Sequence, residues 1–545
     1  MPVRPRPKPH KAVSTPPPVA AALSFLLPGL GQAAAGRTRR GVIVAIPAVA
    51  VMASFGLLFI FARHQLFGDA VNVQWLMSLL IVDLLAMVYH LWAIVDAYFL
   101  ARKGRPLPVG TMRYVSIGAV VVLVAGTLGI HLGFASVDIQ AQQTLDCVFN
   151  PTGPCGIVEL ASGQTLAADT APPDDGDLAT DTPDPSASAQ GPSASTGPTA
   201  TPVAYPTVPP YTGNAADWQA DGYLNLLLLG GDAGIGRGGN GAGKPVNLRT
   251  DSIILLQVNL STGQSAMYGI PRNLFNVPLG ANDANAYSCH CFPKFFPYQN
   301  PKTASPNYFF GLWVDAVNYP KLYPYPGVNY FARGTKAVEG AVGALMGVHV
   351  DGAVVVDLMG FVNLIDQLTP SGLNINVPYK VKQLPGYGYP KPDGSGDIYN
   401  IVFNPGWQKL NGLQALEYAR MRHVVGYDSD IFRMARQQLV LKAVRDQLNP
   451  CDLATRVPSL LSAIRGTIWT DMPVDDAPAL AALASKITTS NIKSYGLTPS
   501  AGFAEDVSLP GMLQRYHNVA IHGLDGVPSA FSGGSGGGGG GGFHC

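Results

Sequence analysis

Charge is what this 545-residue chain has least of: Asp, Glu, Lys and Arg make up 13% of it, against roughly a quarter in ordinary soluble domains. What charge there is cancels, 36 Lys plus Arg against 35 Asp plus Glu for a net +1. That balance excludes a strongly basic nucleic-acid binder, and no nucleic-acid partner is expected. Cysteine is missing from everything before Cys147, and the other five (Cys155, Cys289, Cys291, Cys451 and Cys545) follow it. Disulfides persist in oxidising compartments, so this placement fits an exported C-terminal part. Cys147 with Cys155 is the most local pairing. Cys289-His290-Cys291 could hold a metal, but disulfides are the preferred reading.

Mean hydropathy is positive, at +0.17, and the excess apolarity lies in residues 1–140. Gly41–Ala62 and Tyr114–Ser136 contain no Asp, Glu, Lys or Arg, and Val71–Leu100 carries only Asp83 and Asp96. A helix of about 20 apolar residues crosses a hydrocarbon layer of about 30 Å. Residues 1–140 are therefore expected to be a membrane region, with spans near 41–62, 75–100 and 114–136. The earlier segment 19–36 is broken by Pro28-Gly29-Leu30-Gly31 and reads as re-entrant or amphipathic. Basic residues cluster at Arg4, Arg6, Lys8 and Lys11, at Arg37, Arg39 and Arg40, and at Arg102, Lys103, Arg105 and Arg113. Placing all of these inside puts the N-terminus in the cytoplasm and everything after the third span outside the cell membrane. Asp83, within a span, marks either a functional site or a partner inside the helix bundle.

Residues 141–215 read as an extracytoplasmic linker, since 161–215 is rich in Pro, Ser, Thr, Ala and Asp and cannot bury a core. A folded domain is expected over 216–530, and 531–545 is a Gly-rich tail. Within the domain, Tyr223–Leu229, Ser252–Val258, Ala353–Val356 and Leu373–Val377 are strand-like. Arg333–Met346, Asn411–Arg422 and Asp430–Leu448 have helical spacing. Strands interleaved with helices point to an α/β fold, an α-β-α sandwich. Residues 281–330, rich in Tyr, Phe and Pro, fit that alternation poorly and read as an insertion loop or binding flap.

Gly238–Lys244 satisfies G-x-x-x-x-G-K, but Pro245 stands where a P-loop needs Ser or Thr, so a mobile glycine loop is the better reading. Gly230-Gly231-Asp232 ends one strand, Arg249-Thr250-Asp251 opens the next, and Pro271-Arg272-Asn273 follows a third. Loops at strand ends are where open α/β sheets hold ligands. Asp232 and Asp251 could hold Mg²⁺ together with phosphate oxygens; alternatively Asp232 caps a turn and Asp251 pairs with Arg249. Arg420-Met421-Arg422-His423 precedes Asp430, Arg433, Arg436, Gln437 and Gln438. Arg433 and Gln437 share a helix face at i and i+4. These arginines suit a phosphate or pyrophosphate, or else form a solvated basic face.

Taken in order, Leu224–Ala233, Arg249-Thr250-Asp251-Ser252-Ile253, Ile270-Pro271-Arg272, Leu410-Asn411-Gly412 with Ala415-Leu416, Arg420–His423 and Arg433-Met434-x-Arg436-Gln437-Gln438 resemble the motifs of the LytR-CpsA-Psr family. The resemblance covers roughly residues 220–500, including Thr470-Asp471 and Asn491-Ile492. It implies an extracytoplasmic phosphotransferase that moves a glycopolymer from a polyprenyl-pyrophosphate carrier to a cell-wall acceptor such as peptidoglycan, with Mg²⁺. It further implies metal-linked Asp232 and Asp251, and a pyrophosphate grip by Arg249, Arg272, Arg420, Arg422, Arg433 and Gln437. Asp251, Arg249 and Arg272 would be catalytic, and Asp430 would orient an arginine or assist proton removal. Two positions depart from the family pattern: Asn273 replaces the Asp usual after Pro-Arg, and Gly234 replaces an Arg for which Arg237 could substitute. The rival readings are a hydrolase on the same site and a non-catalytic binder of lipid pyrophosphate or polymer. Leu26-Leu27-Pro28-Gly29-Leu30-Gly31-Gln32 also resembles the Pro-Gly-x-Gly-Gln segment of small multi-span membrane modules.

Overall fold

The computed structural model describes residues 15–61, 71–103, 111–150, 218, 222–231, 248–280, 283, 308–391, 395–427, 430–447 and 457–527. The chain divides into two compact units, Met1–Leu145 with Ala477–Ala482, and Asp146–Asp476 with Leu483–Cys545.

The first unit holds two short helices, α1 (Pro17–Leu26) and α2 (Leu30–Ala34), and the long helices α3 (Thr38–Phe61), α4 (Val73–Arg102) and α5 (Thr111–Phe149). The three long helices are apolar enough to cross a membrane. The last runs well beyond Ser136, so residues 141–149, read as linker, are helical. Gly29 has φ of 102°, which lets the chain turn between α1 and α2 where a side chain would be strained. At Gly31 a Cβ would overlap the Ala20 carbonyl and the Ala97 methyl, so the glycine is what lets α2 lie against α1 and α4. Gln32 is fully buried there and donates to the Ala93 carbonyl (2.9 Å) and to Asp96 (3.2 Å). Both acids of α4 have partners: Arg40 meets Asp96 at 2.6 Å and His131 meets Asp83 at 2.7 Å. An unpartnered charge would be costly in hydrocarbon.

The second unit is built on a six-stranded sheet. Its strands are β1 (Tyr223–Gly231), β2 (Thr250–Asn259), β3 (Ser265–Ile270), β4 (Gly352–Val356), β7 (Ile468–Thr470) and β8 (Ile492–Gly496), in the order β7-β4-β1-β2-β3-β8. β1, β2 and β3 form an antiparallel meander, β4 lies parallel to β1, and β8 lies parallel to β3. The leucine run of β1 is what a central strand covered on both faces requires. Leu227 and Leu229 face a core with Leu255 and Tyr268, while Leu228 and Ile254 face the opposite side. The first face is covered by α6 (Leu312–Asn318), α7 (Tyr330–Met346) and α12 (Met512–His522). Against the other lie α8 (Leu358–Leu368), α9 (Gly412–Arg420) and α10 (Asp430–Gln447), with α11 (Val457–Ile464) beside α8. A two-stranded ribbon, β5 (Leu373–Val377) with β6 (Gly406–Leu410), closes a second core around Ile375, Tyr418 and Val440. This is the α-β-α sandwich the strand–helix alternation implied.

One expectation is corrected. Of 281–330, the described part 308–330 is neither an insertion loop nor a flap, because Phe309, Leu312, Trp313 and Tyr323 are fully buried in the first core. Trp313 meets Phe331 edge-on at 5.6 Å, and Phe331 lies 5.5 Å from Trp469. Such pairs add about 0.5–1.5 kcal/mol beyond area burial. Aromatic richness here marked core rather than a binding segment. Cys289 and Cys291 lie outside the described residues. Cys147 is disulfide-bonded, and the other five cysteines also fall outside.

Two buried acids give the domain a pH signature. Asp357 caps α8 by accepting from Gly360 N, and burial pushes its carboxyl up to about 7. Burial likewise raises Asp283 to about 8, against a Tyr325 hydroxyl bond that favours ionisation. The fold prefers both acids protonated. The stability they contribute is complete below the unfolded value of 3.8 and is lost as pH rises through about 7 and 8. The unfolding temperature of the full chain in detergent, followed by tryptophan emission, should therefore fall from pH 5 to pH 8. Asp357→Asn preserves the cap and should flatten part of that fall; an unchanged slope would contradict the assignment.

Candidate functional site

The meander brings three chain ends to one edge of the sheet. Gly230 pairs with Ser252, but the next pair is Gly231 with Thr250, so Asp251 is the extra residue of a β-bulge. Bulges re-aim a side chain, and here Asp251 meets Arg272, which follows β3 at the same edge. Arg272 Nη1 donates to Asp251 Oδ1 at 2.5 Å, and Arg272 is 1% exposed. The partner is thus Arg272, where the bland alternative had paired Asp251 with Arg249. The guanidinium carbons of Arg249 and Arg272 both sit over the Phe310 ring, at 4.9 and 5.1 Å from its centroid, close enough for cation–π attraction.

Burial would raise the Asp251 carboxyl, but Arg272, Arg249 and Arg433 together outweigh it and hold it at about 2. Asp251 is therefore ionised throughout the physiological range. It is also too weak a base to take a proton there, so its part is electrostatic. Its side chain keeps 32% of its surface open, facing a cavity of about 320 Å³. Leu228, Ile254, Val356, Leu358, Phe361, Leu416, Val440 and Leu441 give that cavity a mainly apolar wall, and Arg420, Arg422, Arg433 and Gln437 also line it. Gln437 accepts from Ser252 Oγ at 3.1 Å, tying α10 to β2. Apolar walls joined to a cluster of cations suit an amphiphile with an anionic head.

The segment Arg420–His423 is held from both sides. The Tyr389 hydroxyl accepts from the backbone N–H groups of Arg422 (2.6 Å) and His423 (2.9 Å). Arg436 Nε donates to the Tyr418 carbonyl (2.8 Å) and its Nη2 to that of Met421. Carbonyls at a helix C-terminus lack intrahelical donors, so Arg436 completes the end of α9. Arg433 and Arg436 are 3% and 1% exposed, which rules out the solvated basic face for this pair. Arg436 supports the site without lining it. Gln438 is likewise structural, donating to the Tyr495 carbonyl at 3.0 Å.

The remaining sequence-derived residues divide plainly. Asp430 opens α10, but its side chain lies outside the described residues, as do Asp232, Gly234, Arg237 and the Gly238–Lys244 loop. Sequence reasoning missed Phe310, Tyr387 and Tyr389. Tyr387 stacks on the His423 ring at 3.8 Å and lines the cavity with Tyr389. The Tyr-Gly-Tyr run was visible but carries no chemistry until the fold sets it beside Arg422. Among the described residues no group of three or more His, Cys, Asp or Glu could hold a metal. Mg²⁺ does not need one, since one or two carboxylates plus substrate phosphates suffice. Asp251 fits that role through Oδ2, which accepts no hydrogen bond from a described residue.

The family model described as "LytR_cpsA_psr family" matches residues 200–508. The chain belongs to the LytR-CpsA-Psr family. Among curated LytR-CpsA-Psr relatives, "Regulatory protein MsrR" of Staphylococcus aureus (strain Mu50) is 24% identical over 253 residues, 46% of this chain and 58% of its own length. "Polyisoprenyl-teichoic acid--peptidoglycan teichoic acid transferase TagU" of Oceanobacillus iheyensis is 27% identical over 283 residues, 50% of this chain and 68% of its own. The solved structure of Bacillus subtilis TagV is 20% identical, covering 56% of this chain and 97% of its own, with a TM-score of 0.35. This chain therefore spans only 58% of the length of the MsrR relative.

The two kinds of arginine in this LytR-CpsA-Psr domain should separate on mutation. Arg436→Leu leaves buried carbonyls without donors and should lower stability by about 2–3 kcal/mol. Arg422→Gln should leave the unfolding temperature unchanged and weaken inorganic pyrophosphate binding about tenfold or more. Calorimetry on the full chain reads both effects; equal loss of stability in the two variants would contradict the division.

Proposed function

We propose that this chain is a membrane-anchored phosphotransferase that moves a glycopolymer from a polyprenyl-pyrophosphate carrier to a cell-wall acceptor such as peptidoglycan. The observation that carries the reading is the single cavity in which an apolar wall meets Arg420, Arg422 and Arg433 beside the ionised Asp251. A polyprenyl tail would occupy the apolar part and the diphosphate the cationic part. The TagU relative, a polyisoprenyl-teichoic acid–peptidoglycan teichoic acid transferase, is named for the same class of transfer. The three apolar helices would anchor the domain. The basic flanks favour an N-terminus in the cytoplasm, and the disulfide at Cys147 suits an oxidising exterior.

In the proposed reaction an acceptor hydroxyl oxygen attacks the phosphorus that bears the glycan. The P–O bond to the inner phosphate breaks and polyprenyl monophosphate leaves. A glycan–phosphate–acceptor diester remains, and the hydroxyl proton passes to Asp430 or to water. Phosphoryl transfer demands positioning and neutralisation of equatorial oxygen charge more than covalent chemistry. Arg420, Arg422 and Arg433 would grip the diphosphate, with Arg249 and Arg272 held ready by Phe310 and Asp251. Bound Mg²⁺, held by Asp251 and a second carboxylate such as Asp232, would add charge neutralisation.

The test uses the full chain in lipid nanodiscs with a lipid-linked glycan, Mg²⁺ and peptidoglycan fragments, with products read by mass spectrometry. Glycan phosphate on the acceptor is expected. Free glycan phosphate in its place would make the chain a hydrolase, and donor bound but unchanged would make it a binder. Asp251→Asn should reduce turnover about 10²- to 10³-fold, the scale of losing one preorganised electrostatic contact, while donor binding persists. Chelation of divalent cations should abolish turnover and be reversed by Mg²⁺.

A further inference from the structure

The ribbon of β5 and β6 continues beyond Val377 and Gly406 as a longer hairpin, with Val381 opposite Phe403 and Lys382 opposite Val402. Side chains alternate along it. One face is buried in the second core, and the other presents Lys380, Lys382, Val402, Trp407 and Lys409 outward. Trp407 is 70% exposed, Tyr399 56%, Val425 46% and Val402 43%. A tryptophan that open on a folded surface is unusual, and an exposed patch combining it with aliphatic groups marks an interaction surface.

The patch is continuous with the cavity mouth. A Cβ at Gly388 would lie 2.6 Å from the Tyr399 ring, so that ring sits directly over a cavity-lining residue. Val425 N donates to the Lys382 carbonyl at 2.9 Å, and Gln383 bridges to Val424, next to cavity-lining His423. Along 373–410 the one acid among the described residues is Asp397, and the Tyr399 hydroxyl donates to it at 3.2 Å. The outward face thus sets Trp407, Val402 and Tyr399 among Lys380, Lys382 and Lys409, with the neutral Asn374 and Asn376 opposite Lys409 and Trp407. That is the composition that seats a protein on an anionic lipid surface: Trp and Tyr at the headgroup level, Lys toward the charge.

We propose that this hairpin face docks onto the anionic outer leaflet of the membrane and holds the cavity mouth against it. The proposal rests on the lipid-linked-donor reading above and names the surface through which that donor enters. A polyprenyl tail drawn through water would expose its apolar surface on the way. A mouth seated in the leaflet lets the tail pass from lipid to protein without that exposure. The Pro-, Ser- and Thr-rich composition of 161–215 suits a tether that gives the reach, and the hairpin gives the orientation.

The test uses the full chain in nanodiscs of phosphatidylglycerol or of phosphatidylcholine, with and without lipids brominated near the head-group end of their acyl chains. The Trp407 contribution is isolated by subtracting the emission of Trp407→Phe, which removes the common signal of Trp75, Trp92, Trp218, Trp313 and Trp469. The Trp407 component should be quenched at least twofold by brominated phosphatidylglycerol. It should lose that quenching in phosphatidylcholine and in the triple variant K380E/K382E/K409E. An unquenched Trp407 component in anionic lipid overturns the proposal. So does a component that responds only to added soluble anionic glycan, which would make the face a polymer-docking surface. Turnover separates this failure from failure of the enzymatic reading. Docking variants should keep activity on a short-chain, water-soluble donor and lose about tenfold on a long-chain donor in the bilayer. A wild-type chain inactive on both donors would refute the transferase while leaving the quenching result intact.

Discussion

The site depends on one ion pair placed by one irregularity in the sheet. The bulge at Asp251 turns a carboxylate out of strand alternation and onto the buried guanidinium of Arg272. Arg272 is 1% exposed while Asp251 keeps 32% of its side chain open to the cavity, so the arginine anchors the pair in the protein and the acid presents it to the site. The pair also decides chemistry. Three arginines keep Asp251 ionised down to about pH 2, which disqualifies it as a general base.

Around that pair the structure separates groups that would face the ligand from groups that hold them. Arg420 and Arg422 line the cavity because the chain between α9 and α10 is fixed by the Tyr389 hydroxyl on one side and by Arg436 on the other. Neither support needs to touch substrate. The same division appears on α10, where Arg433 and Gln437 face the cavity while Arg436 and Gln438 satisfy backbone carbonyls. Four neighbouring polar residues thus take two roles according to helix face.

Much of this was legible in the sequence. The β1 leucine run, the strand over Ser252–Val258 and the helices over Arg333–Met346 and Asp430–Leu448 follow from periodicity, which local physics controls. Asp251, Arg272 and Arg433 were visible as a constellation because their motifs stand at strand ends and on one helix face. The Asp251–Arg272 partnership was hidden, since a bulge is a register effect between strands and leaves no mark in one strand alone. The burial of Phe309 and Trp313 was misread because aromatic, Pro-rich sequence looks the same in a flap as in a core. The apolar cavity was invisible for a related reason: Leu228, Phe361, Leu416 and Val440 are far apart in sequence, and their hydrophobicity alone reads as ordinary packing.

The central claim is that the cavity receives the tail of a polyprenyl pyrophosphate. Photocrosslinking tests it most directly, using the full chain in nanodiscs and a polyprenyl pyrophosphate carrying a diazirine on its tail, with labelled peptides identified by mass spectrometry. The account predicts labelling at Phe361, Val440 or Leu441 that unlabelled carrier suppresses. Labelling confined to the three long apolar helices α3, α4 and α5, with none on α8 or α10, would contradict it.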